Sequence, residues 1–273
     1  MADAFREVDV TRVREGVRAT DRDRAATEEP LEIRLHGRPF SVVMRTPGAD
    51  RELAAGFLLA ERVVLGPDDL GTIEHCTDPS VEHAENVINV TLVNLSTDAL
   101  DRLLAGRRLV TTNASCGMCG RQTIESLRAE APPIRSSLTV RASALAIIQD
   151  RLRAAQGVFD QTGGLHAAGL FAADGRLDQV AEDVGRHNAV DKVIGRMLIR
   201  EALPLSSYLL FVSGRASFEI VQKAFLAGIP LVASVSAPST LAIELADEAA
   251  ITLVGFLRGA SFNVYTHPAR IED

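Results

Sequence analysis

No apolar run in the chain approaches the roughly 18 residues that a membrane-crossing helix needs. The opening stretch, MADAFREVDVTRVREGVRATDRDR, lacks the apolar centre of a secretory signal. Both absences lead to the expectation of a cytoplasmic protein with no membrane association. An excess of positive charge is also missing: the net charge of the 273 residues is −7. That balance argues against a nucleic-acid binder built around a broad basic face. Three cysteines cannot form the even-numbered disulfide framework of a small secreted domain. The patterns G-x-G-x-x-G and G-x-x-x-x-G-K-[ST] do not occur. A dinucleotide dehydrogenase and an ordinary phosphate-loop nucleotidase are therefore excluded as readings.

Lysine is nearly absent. Lys192 and Lys223 are the only two among 29 basic residues, the rest being arginine. A compositional bias accounts for most of this. The sharper reading is that these two positions require a compact ammonium, which a planar guanidinium does not replace.

What is present divides into a tail, two α/β regions and a loop between them. Residues 1–28 are charged and aperiodic and read as a mobile tail, in which 7–19 could form a short strand. Residues 29–109 read as a smaller α+β N-terminal domain. PLEIRLHGRPFSVV (30–43) alternates about His36-Gly37 as a hairpin, and a helix over 50–64 follows, with Asp50 as its N-cap. A strand is expected over 87–95 and a short helix over 98–104. Residues 110–137 read as a flexible loop, VTTNASCGMCG, and a connecting helix ended by Pro132-Pro133. From 138 to 273 a long helix (138–156) precedes two short strands (164–172 and 177–181) joined by Ala173-Asp174-Gly175-Arg176, and a helix over 188–201. Apolar strands at 208–212, 231–235 and 251–254 then alternate with helices at 217–227 and 239–249. Strands of that kind with helical crossovers pair in parallel, with both sheet faces covered.

In such a sheet the loops after the strands share one edge with the helix N-termini. The loops here are 213–216, 236–239 and 255–261, rich in Gly, Ser and Pro. Ser217 and Ser239 stand where helix caps are expected, and Arg215 and Arg258 can grip a phosphate with paired donors. Gly214 belongs to the first of these loops, Ser213-Gly214-Arg215-Ala216. A second constellation, His166 with the run Glu182-Asp183-Val184-Gly185-Arg186-His187-Asn188, gathers groups that are costly to bury without a task. His187 reads equally as a helix-start histidine held by hydrogen bonds.

Cys116-Gly117-Met118-Cys119 is the strongest chemical signal. A thiolate is the nucleophile, and an exposed glycine-flanked loop near Arg107, Arg108 and Arg121 favours it. Four readings stand side by side: a zinc half-site, a redox pair, an inert pair, and a sulfur carrier holding a persulfide. Cys76, alone, reads as a small buried hydrophobe.

At this point the chain resembles the FdhD family of formate dehydrogenase accessory sulfur carriers. The segments that carry the resemblance are MRTPGADRELAAGFLLAE (44–61), SCGMCG (115–120), GGLHAAGLF (163–171), EDVGRHNAVDKVIGR (182–196), SGRASFEIVQKAFLAGIP (213–230), VSAPSTLAIELA (235–246) and TLVGFLRG with FNVYTHPARI (252–271). The resemblance implies a sulfurtransferase that takes sulfur from a cysteine desulfurase as a cysteine persulfide. It passes the sulfur to the molybdenum or tungsten of a bis(molybdopterin guanine dinucleotide) cofactor destined for formate dehydrogenase. Cys116 would carry the persulfide and Cys119 would assist. The cofactor, mimicked by GDP or GMP, would lie on Phe256, Leu257, Arg258, Gly259, Ala260 and Ser261, with Gly214, Arg215, Ser217 and His187 expected nearby. A homodimer is implied. The alternative is a chaperone that binds the cofactor without covalent sulfur transfer.

The order of elements in 138–273 is also similar to the cytidine deaminase fold, a three-layer α/β/α sandwich. That fold holds zinc through H-x-E and P-C-x-x-C at two helix starts. Here Ala189 stands where the glutamate would be, and the second helix begins Ser217-Phe218-Glu219 without a cysteine. The expectation is therefore the fold without zinc.

Overall fold

The computed structural model describes residues 3–93, 95–105, 111–112 and 131–273. Fifteen strands and seven helices are assigned among them. The first two strands, β1 (Phe5–Arg14) and β2 (Val17–Ala26), pair with each other alone. Where a mobile tail with at most a short strand over 7–19 is expected, the chain forms a ribbon of two ten-residue strands. Its cross-strand partners are charged residues of opposite sign, such as Glu7 opposite Arg24 and Asp9 opposite Arg22. Such pairs support pairing on an exposed face, where no apolar pattern announces a strand.

The N-terminal sheet contains β3 (Glu29–Leu35), β4 (Arg38–Arg45), β5 (Leu70–His75), β6 (Val87–Leu92) and β7 (Thr111–Thr112), in the order β5-β6-β3-β4-β7. In β3, Leu31, Ile33 and Leu35 point inward and are fully buried, while Glu32 and Arg34 pair on the other face. His36 and Gly37 both take positive φ, 49° and 77°, as the tight turn of a hairpin requires. Two helices belong to this half, α1 (Asp50–Ala60) and α2 (Thr97–Ala105). Asp50 is not the N-cap. Ala49 holds that position, and both carboxylate oxygens of Asp50 accept hydrogen bonds from Arg45 at 3.0 Å.

The second half begins with β8 (Val140–Arg141), which pairs with the last strand and shortens the expected long helix to α3 (Ala142–Ala154). Next come α4 (Gly157–Thr162), β9 (His166–Phe171), β10 (Leu177–Asp183), α5 (Arg186–Ile199), β11 (Leu209–Val212), α6 (Phe218–Leu226), β12 (Leu231–Ser234) and α7 (Thr240–Glu248). The chain ends with β13 (Thr252–Arg258), β14 (Ser261–Thr266) and β15 (Ile271–Glu272). The six-stranded sheet runs β10-β9-β11-β12-β13-β14. Its centre, β11 to β13, is parallel, and β9 and β14 run antiparallel to their neighbours.

Alternation along these strands makes three layers. Leu210, Val212, Val232 and Leu253 face α5, α6 and α7, and Phe211, Leu231, Ala233 and Val254 face α3. The layer order and strand order are those of the deaminase-like α/β/α sandwich. The core on the α5 side also includes Leu31, Ile33, Leu53 and Leu58, so the two halves share it. They meet where α1 crosses α5. A Cβ on Gly56 would stand 2.0 Å from the carbonyl oxygen of Asp191, and one on Gly195 would stand 1.9 Å from that of Glu52. Only glycine permits that backbone approach.

Candidate functional site

The carboxyl edge of β11, β12 and β13 brings the three expected loops together. Ala216 and Pro238 form an isolated parallel bridge, and the Ser239 amide donates to the Ala216 carbonyl at 3.2 Å. The Phe256 amide donates to the Ser236 carbonyl at 3.2 Å. The third segment is not a loop of the expected kind. β13 continues through Phe256 and Leu257 to Arg258, and the chain turns at Gly259 and Ala260 into β14, where Ser261 pairs with Arg258. A register shift between Gly255 and Arg258 bends the strand. It leaves Phe256 at φ 54° and 42% exposed, a conformation uncommon for a bulky residue. Leu257 turns inward to the α3-side core and is fully buried, so only its backbone is available to a ligand. Arg215 and Arg258 are exposed at the edge.

His187 opens α5 and faces the start of α6. Its Nε2 lies 3.3 Å from the Ser217 hydroxyl and 3.7 Å from Glu219 Oε2. Ser217 does occupy the N-cap of α6, but its hydroxyl is turned on His187 and makes no capping bond. Ser239 does cap α7, accepting from the Ala242 amide at 3.2 Å. Hydrogen bonding from His187 holds the Glu219 carboxyl down at about 2. Burial pushes the His187 imidazole below its usual value, so the neutral ring is favoured. His187 is 3% exposed, and its Nδ1 is buried with no hydrogen-bond partner among the described residues. His166, at the start of β9, lies beside Gly214 and is likewise pushed down by burial, then by Arg186.

Beneath this edge lies a buried polar seam that sequence reasoning found only in outline. Lys192 donates to Asp183 at 2.6 Å, to the Thr46 carbonyl at 2.8 Å and to the Glu182 carbonyl at 3.4 Å. Three acceptors thus surround a three-donor ammonium. Asp183 also accepts from the amides of Gly185 and Thr46 and from Asn188, whose other bond goes to the Met44 carbonyl. Lys223 donates to both oxygens of Asp191, at 2.6 and 2.8 Å. Burial pushes the Asp191 carboxyl up to about 6 against the opposing pull of Lys223. The scarcity of lysine was the signal for this seam. Its partners Met44 and Thr46 carried no comparable signal, because they are separated in sequence from Asp183, Asn188 and Lys192.

Cys116 and Cys119, and the loop that contains them, lie outside the described residues. Cys76 is partly buried in the segment after β5. Among the described residues no group of three or more His, Cys, Asp and Glu side chains is placed to hold a metal ion. No described helix is long and apolar enough to cross a membrane.

These features define an α/β protein in which a deaminase-like layer carries a polar edge and a smaller sheet is locked onto its back. The chain belongs to the FdhD/NarQ family, whose model matches residues 26–272. It is 50% identical over 269 residues to the sulfur carrier protein FdhD of Streptomyces avermitilis, covering 96% of this chain and 94% of that one. It is 50% identical over 250 residues to the Mycobacterium tuberculosis protein of the same name, covering 90% and 91%. Among solved structures it is similar to a protein of Desulfotalea psychrophila described as a formate dehydrogenase accessory protein. That likeness has a TM-score of 0.77 at 25% identity and covers 99% of this chain and all of the other.

Proposed function

We propose that this chain is a sulfurtransferase that carries sulfur for the maturation of formate dehydrogenase. The observation that supports this reading most is the near full-length similarity to proteins named sulfur carriers, in a chain that keeps Ser115-Cys116-Gly117-Met118-Cys119-Gly120. In the proposed first step the Cys116 thiolate attacks the sulfane sulfur of a cysteine desulfurase persulfide. A new S–S bond forms on Cys116, the desulfurase S–S bond breaks, and the desulfurase cysteine leaves as a thiolate. Cys119 assists release of the sulfur. The acceptor is the metal of a bis(molybdopterin guanine dinucleotide), which is the substrate and not a resident group. Its phosphates would dock on the edge formed by Gly214, Arg215, Ser217 and residues 256–261, with His187 at its floor. Fixed positive charge and helix starts at that edge suit such an anion. A homodimer would offer two such edges to a two-ended ligand.

Mass measurement after incubation with a desulfurase and cysteine tests the carrier step. The expected gain on Cys116 is about 32 Da, reversed by a thiol reductant. Formate dehydrogenase matured with Cys116→Ala should be inactive. Full activity with that variant would leave a cofactor-binding chaperone as the correct reading.

A further inference from the structure

The five-stranded sheet ends on one side at β5, whose only strand partner among the described residues is β6. The amide of Cys76, just past β5, donates to the Val87 carbonyl at 2.9 Å, and the Thr72 amide donates to the Thr91 hydroxyl at 2.7 Å. Backbone groups alternate in direction along a strand, so Thr72, Glu74 and Cys76 turn theirs toward β6. Ile73 and His75 therefore turn their amides and carbonyls outward, where no described strand meets them. An open edge of this kind is a template for another strand, and proteins commonly blunt it with a bulge or a charge. The register shift of β5 falls between Leu70 and Ile73, so the stretch from Ile73 to His75 stays regular.

A groove of about 320 Å³ runs beside that edge. One wall is Leu70 to Glu74, and the other is formed by Pro67, by Arg51 at the start of α1 and by Ile199 and Glu201 at the end of α5. Ile199 is 37% exposed there, an apolar side chain left without cover. Ile73 is buried on the helix side of the sheet, so by alternation Glu74 points to the opposite face. An adjoining hollow adds Arg200 and the pair formed by Arg196 and Glu52. Arg51 and Arg200 are exposed, and neither guanidinium has an ion pair or hydrogen bond among the described residues. Two free guanidiniums against the single carboxylate of Glu201 make the helix side of the groove positive.

We propose that the free edge of β5 is a docking strand for an extended segment of a partner protein, one that presents an apolar side chain to Ile199 and carboxylates to Arg51 and Arg200. Main-chain bonds to Ile73 and His75 supply affinity, and the alternate side chains over the groove supply the choice of partner. Such docking is independent of whether the thiol pair carries sulfur.

Fluorescence anisotropy of the full chain with a labelled, end-capped peptide, Thr-Glu-Thr-Val-Thr-Glu-Thr, tests it. The counterpart Thr-Lys-Thr-Val-Thr-Lys-Thr should bind roughly tenfold or more weakly. Arg51→Glu combined with Arg200→Glu should reverse that preference. His75→Pro removes an outward amide that no described residue uses, a change that an edge strand tolerates. It should weaken the acidic peptide by about tenfold, with thermal unfolding as the check that the variant is folded. Hydrogen exchange followed by NMR needs no variant. In the free chain the amides of Ile73 and His75 should exchange fast and that of Glu74 slowly, and the acidic peptide should slow the first two. No binding of the acidic peptide, equal binding of the two peptides, or slow exchange at Ile73 and His75 in the free chain would overturn the assignment. Self-association that folded His75→Pro abolishes would place a second copy on this edge and overturn it as well. Each of those results would leave the sulfur-carrier proposal standing.

Discussion

Individual charges in this protein are placed by what surrounds them, and Lys192 illustrates the point. The residue is 2% exposed, and its ammonium meets a carboxylate and two carbonyls from two segments. Lys192→Met would leave the buried Asp183 carboxyl without its cationic partner, which costs about 3–5 kcal/mol. Urea denaturation should show a loss of that size. Lys192→Arg should not restore it, because a planar fork cannot reach three acceptors arranged about an ammonium. Glu219 gives a second expectation at this scale. Its carboxyl is lowered from 4.5 to about 2 in the folded chain, chiefly by His187. Between those values the unfolded chain binds more protons, so this group's contribution is present above pH 4.5 and is lost as the pH falls toward 2. The stability difference between wild type and Glu219→Gln should therefore shrink on acidification through that window. A difference that is the same at pH 3 and pH 6 would remove the His187–Glu219 pairing as its cause. These partners were invisible in sequence. The importance of Lys192, Lys223 and His187 was legible from rarity and from clustering, but a carboxylate that pairs 32 residues away, as Asp191 does with Lys223, leaves no local trace.

Elements were more readable than side chains. The His36-Gly37 hairpin, the β9–β10 hairpin and the alternation of β11 to β13 with α6 and α7 follow from turn residues and apolar runs. Errors fell where tertiary partners override local preference. Val140 and Arg141 leave the helical pattern because β15 pairs with them. Residues 256–258 extend a strand because β14 returns alongside. The α1–α5 crossing gives the prediction at this scale. Gly195 lies inside a helix, where alanine is favoured over glycine by about 1 kcal/mol. A methyl group there would meet the Glu52 carbonyl at 1.9 Å and force the helices apart. Overpacking costs about 1–3 kcal/mol, so the net effect of Gly195→Ala should be destabilising. A higher midpoint in urea for that variant would show that the crossing relaxes freely.

The whole molecule is one cooperative body by the same argument. Leu31 and Ile33 of the first sheet, Leu53 and Leu58 of α1, and Val190 and Ile194 of α5 belong to a single buried cluster. Both tyrosines, Tyr208 and Tyr265, lie in the second half. Tyrosine fluorescence therefore reports that half, and far-ultraviolet circular dichroism reports both. The two signals should fall together in urea. A dichroism transition separate from the tyrosine change would mean that the first sheet unfolds alone.

By itself the sequence determined the α/β class, the order of most elements, the 213–216 and 236–239 loops at one edge and the thiol pair, since each depends on neighbours only a few positions apart. Tertiary structure alone decided that Met44 to Thr46 is clasped by Asp183, Asn188 and Lys192, and that Ser217 serves His187. Those outcomes depend on which distant backbone and side-chain groups the folded chain brings within hydrogen-bond reach, and no local pattern encodes that distance.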